Sequence, residues 1–137
     1  MQDKIFIDSN IVIYAYSGTE IEKSQVAKKA IKNNKTVIST QVLHELANTL
    51  HKKFHINYLD ISATLNECLD DVDICYMNKQ QTVFKACSIA ERYGFSFYDS
   101  LIIAAAIESE CPVLYSEDMQ HNQIIENKLT ILNPFIL

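Results

Sequence analysis

The sequence predicts an α/β domain built around a mainly parallel sheet. Short apolar runs alternate along the chain with longer amphipathic ones, the pattern of strands separated by helices. No linker, repeat or low-complexity segment divides the 137 residues, a length suited to one domain of about 100–150 residues. The composition, 48% hydrophobic and 21% charged, is that of a globular chain with a real core.

The elements follow in order. Lys4–Asp8 (KIFID) reads as the first strand and Thr36–Ser39 (TVIS) as the second. Thr40 can cap a helix running to about Phe54, because Leu43, Leu46, Ala47, Leu50 and Phe54 fall on one stripe at helical spacing. Glu45 lies on roughly the opposite side, near the amino end. Asp73–Tyr76 (DICY) is the third strand, and Asn78 with Gln81 resembles a capping box for the next helix. Ser96 can cap Phe97–Ser109, whose Leu-Ile-Ile-Ala-Ala-Ala-Ile run is apolar nearly all round and therefore buried. Pro112–Tyr115 (PVLY) and Thr130–Leu132 complete a sheet of four or five strands.

Composition excludes several functions. Only Gly18 and Gly94 are present, too few for a phosphate-cradling P-loop or a dinucleotide-binding turn. The net charge of −5 argues against indiscriminate nucleic-acid binding. Lys23, Lys28, Lys29, Lys32 and Lys35 nevertheless crowd one segment, with Lys52 and Lys53 beyond it, as either a solvated helix face or a phosphate-tracking patch. Cys68, Cys75, Cys87 and Cys111 show no metal spacing and read as reduced, small apolar residues. With no signal segment ahead of Lys4, and no apolar run longer than Leu101–Ile107, a cytoplasmic location is expected.

Four acids carry the chemistry. In open α/β sheets functional groups gather beyond the carboxyl ends of the strands. Asp8 closes the first strand, Glu45 follows the second, Asp118 lies just past the fourth, and Asp99 opens the buried helix leading into it. Each could also be a simple helix cap or surface acid. Together at one edge they would repel, and an all-oxygen set suits a hard cation, Mg²⁺ or Mn²⁺. Such ions activate water for phosphodiester cleavage. His51 and His55 share a helix face, but no third ligand makes them a zinc site. Tyr14, Tyr16, Phe97 and Tyr98 flank two of the acids and could line a groove or stack on unpaired bases.

Ile7-Asp8-Ser9-Asn10-Ile11-Val12, Ser39-Thr40-Gln41-Val42-Leu43-His44-Glu45, Tyr98-Asp99-Ser100-Leu101-Ile102-Ile103-Ala104-Ala105-Ala106 and Ser116-Glu117-Asp118-Met119-Gln120-His121 resemble, in order and spacing, the motifs of the PIN domain. The nearest likeness is to VapC-type toxins of bacterial toxin–antitoxin pairs, and Leu129–Phe135 looks like the family's last strand. The resemblance spans almost the whole chain and implies one three-layer α/β/α PIN domain over residues 1–137. It implies a metal-dependent endoribonuclease using Mg²⁺ or Mn²⁺, restrained by a cognate antitoxin, forming a homodimer and requiring no membrane. Asp8 and Asp99 would be the principal ligands of a first metal, with Asp118 completing that shell through water. Glu45 would serve a second metal or orient water. Ser116 matches a supporting hydroxyl, and Ser9 and Asn10 organise the turn after Asp8. Asn122 departs from the pattern, standing where relatives often carry glycine. Two other readings compete. One is an inactive PIN-like binding module; the other is a receiver-like Mg²⁺ domain, which would want a second acid beside Asp8 and a late-strand lysine.

Overall fold

A computed structural model describes residues 3–137. Six strands form one sheet in the order β3-β2-β1-β4-β6-β5. They are β1 (Lys4–Ile7), β2 (Lys35–Ser39), β3 (Ile74–Tyr76), β4 (Val113–Tyr115), β5 (Ile124–Ile125) and β6 (Leu129–Leu132). All pairings are parallel except β5 with β6. The helices are α1 (Ser9–Ser17), α2 (Ile21–Asn33), α3 (Thr40–Lys52), α4 (Tyr58–Asp71), α5 (Gln80–Tyr93) and α6 (Phe97–Glu108), and a short 3₁₀ turn (Pro134–Ile136) follows β6.

The strand order fixes the layers. Parallel crossovers are right-handed almost without exception. From β1 through β2 to β3 the chain steps one way, so α1–α4 cover one face. From β3 to β4 it steps back past β1, which puts α5 and α6 on the other. The packing agrees: α1 touches α2 and α3, α3 touches α4, and α6 lies against α5, β2 and β4. The direction reverses between β1 and β4, and that switch point is where such sheets open a crevice.

All five anticipated strands are present. The sixth, β5, escaped because its turn lacks the usual signal. Ile125 and Lys128 close a tight hairpin (Lys128 N–H to Ile125 carbonyl, 3.0 Å) over Glu126 and Asn127, both left-handed at φ 53° and 55°. That conformation ordinarily advertises itself with glycine, and none is here. Two further boundaries move. Asp8 caps α1 instead of ending the strand, and α5 is capped by Lys79 with Thr82 rather than by Asn78 with Gln81.

Ser100 through Ala106 of α6 are all buried, so the helix that looked apolar all round is the central one. Phe6, in the middle of β1, is fully buried. Replacing it with alanine is expected to cost about 3–5 kcal/mol. Urea unfolding would show a lower midpoint with an unchanged slope; a midpoint within error of wild type would mean the core collapses around the gap.

Candidate active site

Asp8 stands at the switch point. Its backbone N–H donates to the Tyr115 carbonyl (3.0 Å), pinning the end of β1 to β4. One carboxylate oxygen accepts the Ser9 N–H at 2.7 Å, capping α1, and the other accepts the Ser116 hydroxyl at 2.8 Å. Only 6% of its surface is exposed. Burial pushes its pKa up to about 6; the two hydrogen bonds oppose that, and the charges of Glu45 and Asp99 add to it.

Glu45 lies half-buried in the second turn of α3, and its pKa is also raised. Burial is the main cause, repulsion from Asp99 adds to it, and the neighbouring Ser9 and Gln41 side chains pull the other way. Gln41, one turn earlier and buried, donates to the Tyr98 carbonyl (3.1 Å) and so ties α3 to the start of α6. Asp99 sits in the first turn of α6, where Ser96 caps the helix by accepting the Asp99 N–H. Burial again lifts its carboxyl, opposed by Ser96 and reinforced by Asp118. Asp118 is exposed on the loop after β4, and one of its oxygens accepts the Asn10 amide at 2.9 Å.

The chain thus brings all four anticipated acids into one electrostatic neighbourhood: Asp8 feels Glu45 and Asp99, Glu45 feels Asp99, and Asp99 feels Asp118. They are neighbours rather than a closed cage. Among the described residues, no three Asp, Glu, His or Cys side chains meet tightly enough to enclose an ion. The buried side-chain polar atoms without a hydrogen-bond partner, among the described residues, are Asn10 Oδ1, Ser39 Oγ, Gln41 Oε1, Glu45 Oε1 and Asn78 Oδ1. Every one lies at or just beyond the carboxyl end of a strand, on the edge that carries the acids. Buried oxygens are rarely left unpaired in folded proteins.

The loop carrying Asp118 is held from several sides. Ser116 reaches Asp8, while Glu117 accepts from the Tyr14 hydroxyl (2.7 Å) and the Lys23 ammonium (2.5 Å). Burial pushes the Glu117 carboxyl up, but those two partners outweigh it and hold it below the ordinary range. Lys23 also lies over the rings of Tyr14 and Phe135. The sequence singled out Ser9, Asn10 and Ser116 but gave no sign of the roles of Gln41 and Glu117 or of the pairing of Lys23 with Glu117. The only hint of Gln41 was its place one turn before Glu45 on the same helix.

The lysine segment is not one patch. Lys23 is paired with Glu117 on the acid-bearing side. Lys28 and Lys32 line a cavity of about 670 Å³ with Glu67, Asp70 and Asp71, where α2 ends and feeds into the start of β2. Tyr16 faces the same cavity and donates to Asp71. Tyr14 and Tyr16 are therefore internal ties. His51 bonds the Ile56 carbonyl and stacks on Tyr58, which gives it a structural role in ending α3. Asn122 has φ 69°, a left-handed conformation that asparagine tolerates better than most residues.

Comparison with known proteins agrees with this architecture. The Mycobacterium tuberculosis toxin VapC20, described as cleaving the sarcin–ricin loop, superposes with a TM-score of 0.68 at 18% identity, covering 83% of this chain and 89% of that one. A toxin–antitoxin complex from Klebsiella pneumoniae gives 0.70 at 20% identity, over 95% and 97% of the two chains. VapBC2 from Rickettsia felis, solved with a DNA fragment from its promoter, gives 0.65 at 22% identity, over 95% and 98%. No curated protein matches in sequence. The PIN domain profile matches residues 5–126, nearly the whole span that holds the sheet and all four acids, and the chain belongs to the PIN domain family.

Proposed function

We propose that this protein is a divalent-metal-dependent endoribonuclease whose acids are Asp8, Glu45, Asp99 and Asp118. The observation that carries the reading is the convergence of these carboxylates, with unpaired buried oxygens, on the edge where β1 and β4 part. The donor set fits Mg²⁺ or Mn²⁺: it is all oxygen, burial and mutual repulsion disfavour the charged forms of Asp8, Glu45 and Asp99, and Glu45 Oε1 has no partner. Asp8, Asp99 and Asp118 would hold one ion, with Glu45 turned towards a second or towards water. A bound divalent ion supplies an activated water and offsets the charge that builds at phosphorus.

The chain's own residues do the rest. Ser116 and the Ser9 N–H fix both oxygens of Asp8, so that carboxylate cannot rotate. Asn10 holds Asp118 in register with them. Gln41 locks the amino ends of α3 and α6 together, which sets the spacing between Glu45 and Asp99.

The same reading makes the protein the toxin of a toxin–antitoxin pair, working in the cytoplasm as a homodimer and silenced by a cognate antitoxin. Solved relatives of the fold include a toxin–antitoxin complex and a VapBC pair on DNA, which supports it. No helix among the described residues is long and apolar enough to cross a membrane. The test is a circular single-stranded RNA incubated with the purified protein and Mn²⁺. Linearised products are expected, since only an internal cut opens a circle. Circles intact in both Mg²⁺ and Mn²⁺ would leave a binding module as the better reading.

A further inference from the structure

The four-acid edge repels phosphate, so an RNA strand must gain its hold there from something other than the carboxylates. Several of the lysines are engaged by acids or stand away from this edge. Lys23 is paired with Glu117, Lys28 and Lys32 face Glu67, Asp70 and Asp71, and Lys52 and Lys53 lie at the far end of α3. Lys79, at the start of α5, lies against the Tyr76 ring.

Aromatic surface is what this edge does offer. Phe97 and Tyr98 open α6 immediately before Asp99 and are 39% and 65% exposed, while Ser100 to Ala106 behind them are buried. Their rings meet edge to face, with centroids 5.6 Å apart at 73°. The hydroxyls of Tyr14, Tyr16, Tyr76 and Tyr93 are each tied to a partner. The Tyr98 hydroxyl makes no hydrogen bond among the described residues; only its carbonyl is held, by Gln41. The backbone beneath the ring is thus locked to the corner that carries Glu45 and Asp99, while the side chain is largely exposed.

We propose that Tyr98, braced by Phe97, is a stacking platform for an unpaired RNA base beside the phosphate that is cut. The proposal rests on the nuclease reading and deepens it, selecting single-stranded over paired RNA. A π-face accepts any base, needs no positive charge and works next to carboxylates that a lysine would be drawn to neutralise. A ring next in sequence to Asp99 places that base close to the acids without adding to their charge.

The chain contains no tryptophan, so Tyr98→Trp introduces a single reporter. Its emission should be quenched by a twelve-nucleotide single-stranded RNA. An abasic strand of the same length, or the same sequence held in a duplex, should leave it nearly unchanged. In cleavage of a randomised single-stranded RNA pool, Tyr98→Ala should raise KM about tenfold with kcat changed much less, and Tyr98→Phe should restore KM. Equal quenching by the abasic strand, an unchanged KM, or a change confined to oligomeric state in sedimentation would overturn the platform. The last outcome would assign the exposed rings to a second copy of the chain. If wild type cuts no RNA while the tryptophan is still quenched by single strands alone, the nuclease reading fails and the platform stands.

Discussion

Asp8→Asn is expected to abolish RNA cleavage and to make the metal-free protein more stable. The loss of activity should reach roughly 10²–10³-fold or more, because a fixed charge at the reacting centre disappears. The gain in stability follows from the raised carboxyl. Asp8 titrates near 6 in the folded chain against 3.8 for an unperturbed group. The fold therefore favours the protonated form. That preference acts in full below about pH 3.8 and is lost as pH rises through 6, leaving an ionised buried carboxylate that costs up to about 3 kcal/mol at neutral pH. Asparagine is free of this penalty. It forfeits something in return: its amide nitrogen must face either the Ser116 hydroxyl or the Ser9 N–H, at about 1 kcal/mol. The net gain should be about 1–2 kcal/mol at pH 7.5 in EDTA. At pH 4 the difference should vanish or reverse, because both side chains are then neutral. Urea unfolding of the two proteins at the two pH values checks this, with the other acids cancelling from the comparison. Equal stability at pH 7.5 would mean that water or a nearby donor already relieves the charge.

Chelation should silence the wild-type protein completely. Mg²⁺ or Mn²⁺ should restore cleavage, and Ca²⁺, with its looser and larger coordination, should do so poorly. The same ions should raise thermal stability at pH 7.5, by about 2.7 kcal/mol when present at a hundred times their dissociation constant. Most of that stabilisation should disappear in Asp99→Asn, which loses cleavage as well. Vigorous cutting in excess EDTA would overturn the metal reading. Metal-dependent stabilisation that Asp99→Asn retains in full would move the ion away from these acids.

The parallel sheet and the edge that the four acids share were legible because both depend on patterns that survive in one dimension. Apolar runs mark buried strands, and an acid just past a strand emerges at one shared edge when the strands run parallel. Asp8 and Asp118 needed nothing more, and Asp99 opens the helix that leads back into β4. What escaped was set by three-dimensional meetings. Glu117 binds Lys23 and Tyr14 across the gap between the β4 loop and the first two helices, and no spacing rule announces such a pair. The lysine segment stayed open between two readings for the same reason. Periodicity can place charges on a helix, but it cannot show that acids from α4 stand opposite two of them. The β5 hairpin was missed because Glu126 adopts a left-handed conformation that its type rarely signals, and no glycine marks the turn.

The bond from Ser116 to Asp8 joins residues 108 positions apart. So does the bond from Asn10 to Asp118. Both form only when β4 docks beside β1, an event of high contact order that closes nearly the whole chain into a loop. During synthesis, then, Asp8 and Glu45 leave the ribosome long before the strand that fixes them. No growing chain that ends short of Ser116 can seat Asp8 as the finished protein does. On the proposed reading, any cleavage of RNA is thereby deferred until β4 has emerged and docked beside β1.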